Sequence, residues 1–157
     1  MPKWDDYFMA MLPLIAERSH DPNTKTSCVI VGPDHEIRST GYNGFPRGIQ
    51  DAIPERLERP EKYFWIEHAE RNAIYNAARV GIPLKSCTLY LSWLPCMDCA
   101  RGMIQAGITR LVVDKEEHER HRSPKWEPDF ARVGTLLNEA GVSLDWWVSG
   151  ERLRVVL

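Results

Sequence analysis

Two short motifs constrain this chain more than anything else in it: His68-Ala69-Glu70 and Pro95-Cys96-Met97-Asp98-Cys99. They offer an imidazole, two thiols and a carboxylate, and a fold that uses them together must bring two separate segments to one point. A structural zinc site is closed by four protein ligands, whereas a catalytic one holds three and leaves the fourth position to water. His68, Cys96 and Cys99 make three, which leaves Glu70 as a carboxylate the metal does not need. The set is that of one catalytic Zn2+ ion per chain. His20, His35, His118 and His121 could complete a structural zinc site, but none stands in a motif with a partner.

A length of 157 residues, 43% of them hydrophobic and 27% charged, fits one globular domain, 1–157, with a core of its own. The formal net charge of −2 excludes a strongly electropositive protein and speaks against nucleic acid as a partner. No apolar run approaches the roughly 18–20 residues of a membrane span. Met1-Pro2-Lys3-Trp4-Asp5-Asp6 also lacks the apolar segment of a signal peptide. The expectation is a soluble, cytoplasmic protein with no membrane association. In that compartment the Cys-x-x-Cys pair reads as metal-binding or redox-active rather than as a disulfide. Cys28 and Cys87, inside apolar strand-like runs, read as small buried hydrophobes.

Trp4, Tyr7, Phe8, Met11, Leu12, Ile15 and Ala16 recur at helical spacing and predict one helix from Trp4 to Arg18, kinked at Pro13. Ser27 to Val31 and Glu36 to Gly41 flank the turn chemistry of Gly32-Pro33-Asp34-His35, a β-hairpin. From Tyr42 to Ile66 prolines, glycines and charges dominate. So long a connection predicts a functional loop or partly helical lid at about 44–66, the alternative being a surface insertion of no consequence. Glu67 to Val80 predicts a helix stopped by Gly81-Ile82-Pro83, with His68 and Glu70 in its first turn. Cys87 to Ser92 predicts a strand, Met97 to Ala106 a helix, and Arg110 to Val113 another strand. A charged connection over 114–128, with His118 to Trp126 as a solvated loop, precedes a helix from Asp129 to Ala140 and a strand near Val142 to Trp146. Trp93, Trp126, Trp146 and Trp147 are candidates for core or subunit contacts. Alternating strands and helices predict an α/β layered domain. Both motifs fall at helix N-termini, where the partial positive charge favours thiolates.

A zinc ion held by His68, Cys96 and Cys99 lowers the pKa of a water in the open position to about neutral. Glu70, beside that water and off the metal, can take its proton, deliver it to a ring nitrogen and protonate a departing amine. The constellation suits hydrolytic release of ammonia from an amidine-like carbon of a heterocycle. Cys-x-x-Cys alone also fits a structural zinc knuckle, so a zinc-stabilised binding module is the non-enzymatic alternative.

His68-Ala69-Glu70-Arg71-Asn72-Ala73-Ile74 together with Leu94-Pro95-Cys96-Met97-Asp98-Cys99-Ala100 resembles the cytidine/deoxycytidylate deaminase superfamily. Three further segments are similar to its deoxycytidylate (dCMP) deaminase branch: Arg18-Ser19-His20-Asp21-Pro22-Asn23, Thr40-Gly41-Tyr42-Asn43-Gly44-Phe45-Pro46-Arg47-Gly48 and Ile104-Gln105-Ala106-Gly107-Ile108. The resemblance runs from Trp4 to about Leu144. It implies a three-layer α/β/α sandwich around a mixed sheet of about five strands, and a hydrolase that converts dCMP to dUMP and ammonia in pyrimidine deoxynucleotide supply. It implies zinc on His68, Cys96 and Cys99, the proton shuttle on Glu70, and nucleotide contacts from the Ala69 N–H, Asn43, Tyr42 and, for the 5′-phosphate, Arg47. Turn geometry beside Gly44 is the other reading of Asn43, and a plain surface arginine the other reading of Arg47. Ile49 stands where relatives often carry a cysteine, so a second, structural zinc is not expected. The resemblance further implies a homo-oligomer, a hexamer, with dCTP and dTTP as effectors. The substrate stays open on residues alone, because 5-substituted dCMP, a nucleoside, a free base and tRNA adenosine call for the same chemistry.

Overall fold

A computed structural model describes residues 3–121 and 127–149, together with the backbone of 151–154. Period-two alternation along its strands sorts the apolar residues onto two faces of one mixed sheet. The strands are β1 (Ser27–Val31), β2 (Ile37–Tyr42), β3 (Thr88–Leu91), β4 (Arg110–Asp114), β5 (Ser143–Val148) and β6 (Glu151–Arg154), in the spatial order β2-β1-β3-β4-β5-β6. β1 lies antiparallel to β2 and β3, while β3, β4 and β5 run parallel and β6 returns antiparallel. The sixth strand extends the five expected.

Cys28, Ile30, Leu89, Leu91, Leu111, Val113 and Leu144 belong to one apolar layer, and Val29, Val31, Tyr90 and Val112 to the other. On the first, α4 (Ala69–Val80), α5 (Met97–Gln105) and α7 (Glu127–Glu139) pack through Ala69, Ala73, Ala77, Ala100, Met103, Val133 and Leu137. On the second, α1 (Trp4–Met9) and α2 (Leu12–Ala16) pack through Phe8, Met9 and Leu12. This is the three-layer α/β/α sandwich. The second layer closes on a polar knot: Arg110 bonds Asp5 through both terminal nitrogens, at 2.9 and 2.8 Å, and Asp145 through Nε at 2.7 Å. The Tyr90 hydroxyl donates to the same Asp5 carboxylate at 2.8 Å.

α4 sits against β2 so closely that only glycine fits beneath it. A Cβ on Gly41 would stand 2.5 Å from the Ala73 nitrogen and 3.0 Å from its Cβ. The alanine stripe of α4 is the matching half of that approach, and Gly81, at φ 73°, ends the helix in the left-handed conformation.

The structure corrects three expectations. The single helix from Trp4 to Arg18 is two, because Pro13 falls in the first turn of α2 and opens that helix instead of kinking a longer one. Lys115–His121 is a helix, α6, where a charged loop was expected, and His118 is buried in it. Its ring meets Phe130 edge-on at 4.8 Å and Trp146 at 5.0 Å, so the residue that anchors this helix is a histidine inside a charged run, which apolar periodicity does not register. The remainder of the expected loop, 122–126 with Trp126, lies outside the described residues. Finally, α4 begins at Ala69, with His68 as its N-cap rather than in its first turn. The 44–66 connection contains a 3-10 turn at Pro54–Leu57 and a short helix, α3 (Lys62–Trp65). Among the described residues no helix is long and apolar enough to cross a membrane.

Candidate metal centre

His68 and Cys96 are the N-cap residues of α4 and α5, and both have extended backbone, with ψ of 153° and 166°. Neither side chain caps its own helix. Each turns toward the other, and Cys99 adds its thiol from the first turn of α5. His68 Nδ1 lies 3.5 Å from Cys96 Sγ and 3.5 Å from Cys99 Sγ, and the three ligand atoms all lie within 4.8 Å of one another. A nitrogen at about 2.0 Å and a sulfur at about 2.3 Å from a tetrahedral zinc ion stand about 3.5 Å apart. The donor set and its spacing therefore fit zinc.

The three groups share protons as one unit. The hydrogen bond with the Cys99 thiol holds Cys96 down to about 4, and His68 adds to the effect. The same bond, with burial, pushes Cys99 well above the usual thiol range. The hydrogen bond to Cys96 raises His68, against the opposing effect of burial. Metal binding would strip the proton from Cys99 and require neutral His68.

Glu70, the second residue of α4, is 6% exposed, and burial raises its carboxyl above the usual range against the pull of His68. His68, Cys96 and Cys99 are the side chains whose charge and protons act on this carboxyl, which puts it beside the ligand cluster. Ala69 opens α4, so its N–H has no carbonyl one turn earlier, while its own carbonyl accepts the Cys28 thiol at 3.3 Å.

The Gly-Tyr-Asn-Gly segment is tied to this centre through backbone. Gly44 and Glu67 exchange N–H···O bonds at 3.0 and 2.9 Å, which sets the Asn43–Gly44 turn beside the residue preceding His68. Asn43 is buried; its Oδ1 accepts the Thr26 N–H at 2.9 Å and its Nδ2 donates to the Thr24 carbonyl at 2.8 Å. The Tyr42 ring would lie 3.3 Å from a Cβ on Gly44, and the Tyr42 carbonyl accepts Asn72 Nδ2 at 2.9 Å. Arg47 bonds Asn76 Oδ1, about two turns along α4 from His68.

Sequence reasoning passed over two charged residues here. Glu67 accepts the His68 N–H at 2.9 Å and Arg71 Nε at 2.6 Å, and so fixes the backbone at the histidine. Arg71 also reaches Asp98 at 3.7 Å, and both thiols of the centre favour its charge. The available signal was the i,i+4 spacing of Glu67 and Arg71 across the helix start.

The family described as the cytidine and deoxycytidylate deaminase zinc-binding region matches residues 2–115. Human deoxycytidylate deaminase is 38% identical over 146 residues, covering 90% of this chain and 78% of the relative. An uncharacterized deaminase of Aliivibrio fischeri is 35% identical, over 92% of this chain and 93% of its own. Among solved structures, the dCMP deaminase of cyanophage S-TIM5 in complex with dCMP and dUMP superposes with a TM-score of 0.73, over 94% of this chain and 98% of that one, at 21% identity, a likeness of fold. His68, Cys96 and Cys99 converge on two helix N-termini where they could hold a metal ion, the matched family is zinc-binding, and the chain belongs to the cytidine and deoxycytidylate deaminase family.

Proposed function

We propose that this chain is a zinc-dependent hydrolase that converts dCMP to dUMP with release of ammonia, supplying deoxyuridylate as a precursor of thymidylate. One observation carries the reading: the buried Glu70 carboxyl stands beside the His68, Cys96 and Cys99 cluster, and the Gly44–Glu67 backbone pair holds the Asn43 turn against the same spot. The identity to relatives named deoxycytidylate deaminase supports the nucleotide as substrate.

Zinc held by His68, Cys96 and Cys99 would supply a water of lowered pKa. Glu70 would take one proton from the attacking water and pass it to the pyrimidine ring nitrogen, then take the second from the hydroxyl now on the carbon and deliver it to the amino group, which leaves as ammonia as the carbon–nitrogen bond breaks and the carbonyl forms. Burial suits it to this trade, because a carboxyl held above the usual carboxylate range gives up a proton less readily and so can carry one between groups. The Ala69 N–H, at the helix N-terminus, donates to the pyrimidine carbonyl. Asn43 Oδ1 and Nδ2 each bond one backbone group and can each make one more bond, toward the sugar or the base. Tyr42 borders that side, and Arg47 meets the 5′-phosphate by exchanging Asn76 for a bidentate anion.

The protein functions as one domain over 1–157, in the cytoplasm, as a homohexamer regulated by dCTP and dTTP. The test is ammonia release from dCMP, CMP, deoxycytidine, 5-methyl-dCMP, guanine and a tRNA anticodon stem, with and without dCTP and dTTP. The expected result is turnover of dCMP above all others, and preferential turnover of any other member would overturn the substrate.

A further inference from the structure

Lys62 and Asp21 form an ion pair at 2.7 Å with side chains 7% and 2% exposed, and among the described residues it is the one ion pair with both partners so deeply buried. Burying two charges is costly, and such a pair persists only where its geometry and remaining hydrogen bonds are good. Here they are. Asp21 Oδ1 accepts the N–H groups of Asn23 and Thr24 at 2.9 and 3.1 Å, while Oδ2 takes the lysine. The Asp21 N–H donates to Ser19 Oγ at 3.3 Å, and Ser19 Oγ donates to the Asn43 carbonyl at 2.8 Å. Asn43 in turn grips Thr24 and Thr26 with its side chain. One buried network therefore joins the 19–26 segment, the Asn43 turn and α3.

Lys62 sits on a helix of four residues, too short to hold itself together, and lies six residues before His68. The Ile66 N–H bonds the Lys62 carbonyl at 3.0 Å, and Glu67 is paired with Gly44, so the chain from Lys62 to His68 is held at both ends. The part of the 44–66 connection next to the metal centre is thus a latched strap.

We infer that the Asp21–Lys62 pair is a positioning device for the nucleotide: it sets the Asn43 turn and the entry to α4 at a fixed separation, and so determines KM. The inference rests on the dCMP reading for its kinetic half only. Removing one charge would strand the other, so the test uses the charge-free pair Asp21→Asn/Lys62→Met, and Asp21→Glu, which keeps both charges and lengthens one arm. The readouts are zinc content, kcat and KM for dCMP, and hydrogen exchange at the Thr24 and Thr26 amides. The double variant should keep one zinc per chain and a kcat within threefold of wild type, raise KM at least tenfold, and speed exchange at both amides. Asp21→Glu should give an intermediate KM. A wild-type KM in either variant overturns the inference, as does unchanged exchange at Thr24 and Thr26. If the wild-type chain does not deaminate dCMP, the substrate reading fails, and amide exchange alone decides the latch.

Discussion

Replacing Gly41 by alanine tests how tightly the metal centre is coupled to the seat of α4. The added Cβ would stand 2.5 Å from the Ala73 nitrogen and 3.0 Å from the Ala73 Cβ, where atoms in contact normally keep about 3.5–4.0 Å. Both neighbours are rigid parts of α4, so the helix must retreat by roughly 1 Å. Overpacking of this kind costs about 2–3 kcal/mol, which in a domain of this size lowers Tm by about 5–10 °C. His68 stands at the N-cap position of that helix while Cys96 and Cys99 ride on α5, so the retreat opens the ligand triangle, and a displacement near 1 Å costs about 100-fold in rate. Gly102→Ala is the control. It lies mid-helix in α5, beside the ligands, and its Cβ would meet only Ile74 Cδ1 at an ordinary 3.8 Å, so it should gain about 0.5–1 kcal/mol from helix propensity and keep full activity. Thermal melts followed by circular dichroism, zinc release to a colorimetric chelator and kcat/KM read all three consequences. A Gly41→Ala protein with wild-type Tm and zinc affinity, or a Gly102→Ala protein that loses both, would refute the packing argument.

Two further outcomes follow from the same geometry. Glu70→Gln, nearly isosteric, should retain zinc and fold while lowering kcat by about 10²–10⁴, measured as dUMP formation; loss of zinc or fold with the activity would make Glu70 structural. Arg110→Met removes the guanidinium that binds Asp5 and Asp145, and should cost about 3 kcal/mol in urea denaturation. A midpoint unchanged from wild type would show that the polar knot contributes nothing net.

The motifs spoke plainly because their chemistry lies in residue type and short spacing: an imidazole, two thiols and a spare carboxylate mean the same thing wherever the chain carries them. Short β-rich apolar runs and the turn residues between them likewise exposed the hairpin and β4, because strands covered on both faces read as continuous apolar stretches. What stayed hidden were the long-range polar pairings. Nothing local marks Lys62 as the partner of Asp21, or Arg110 as the partner of Asp5 at the other end of the chain. His118 was invisible for a related reason: a charged run reads as solvated, yet Leu94, Phe130 and Trp146 enclose its ring. Glu67 and Arg71 lie beside the motif, but residue type and spacing mark ligands and not the hydrogen bonds that orient them.

Zinc titration into metal-free protein during dCMP turnover tests the central claim most directly. Activity should rise linearly to one zinc ion per chain and then level off, with dUMP and ammonia formed in equal amounts. Turnover without metal, a break at two ions per chain, or one bound zinc with no dUMP formed would contradict it.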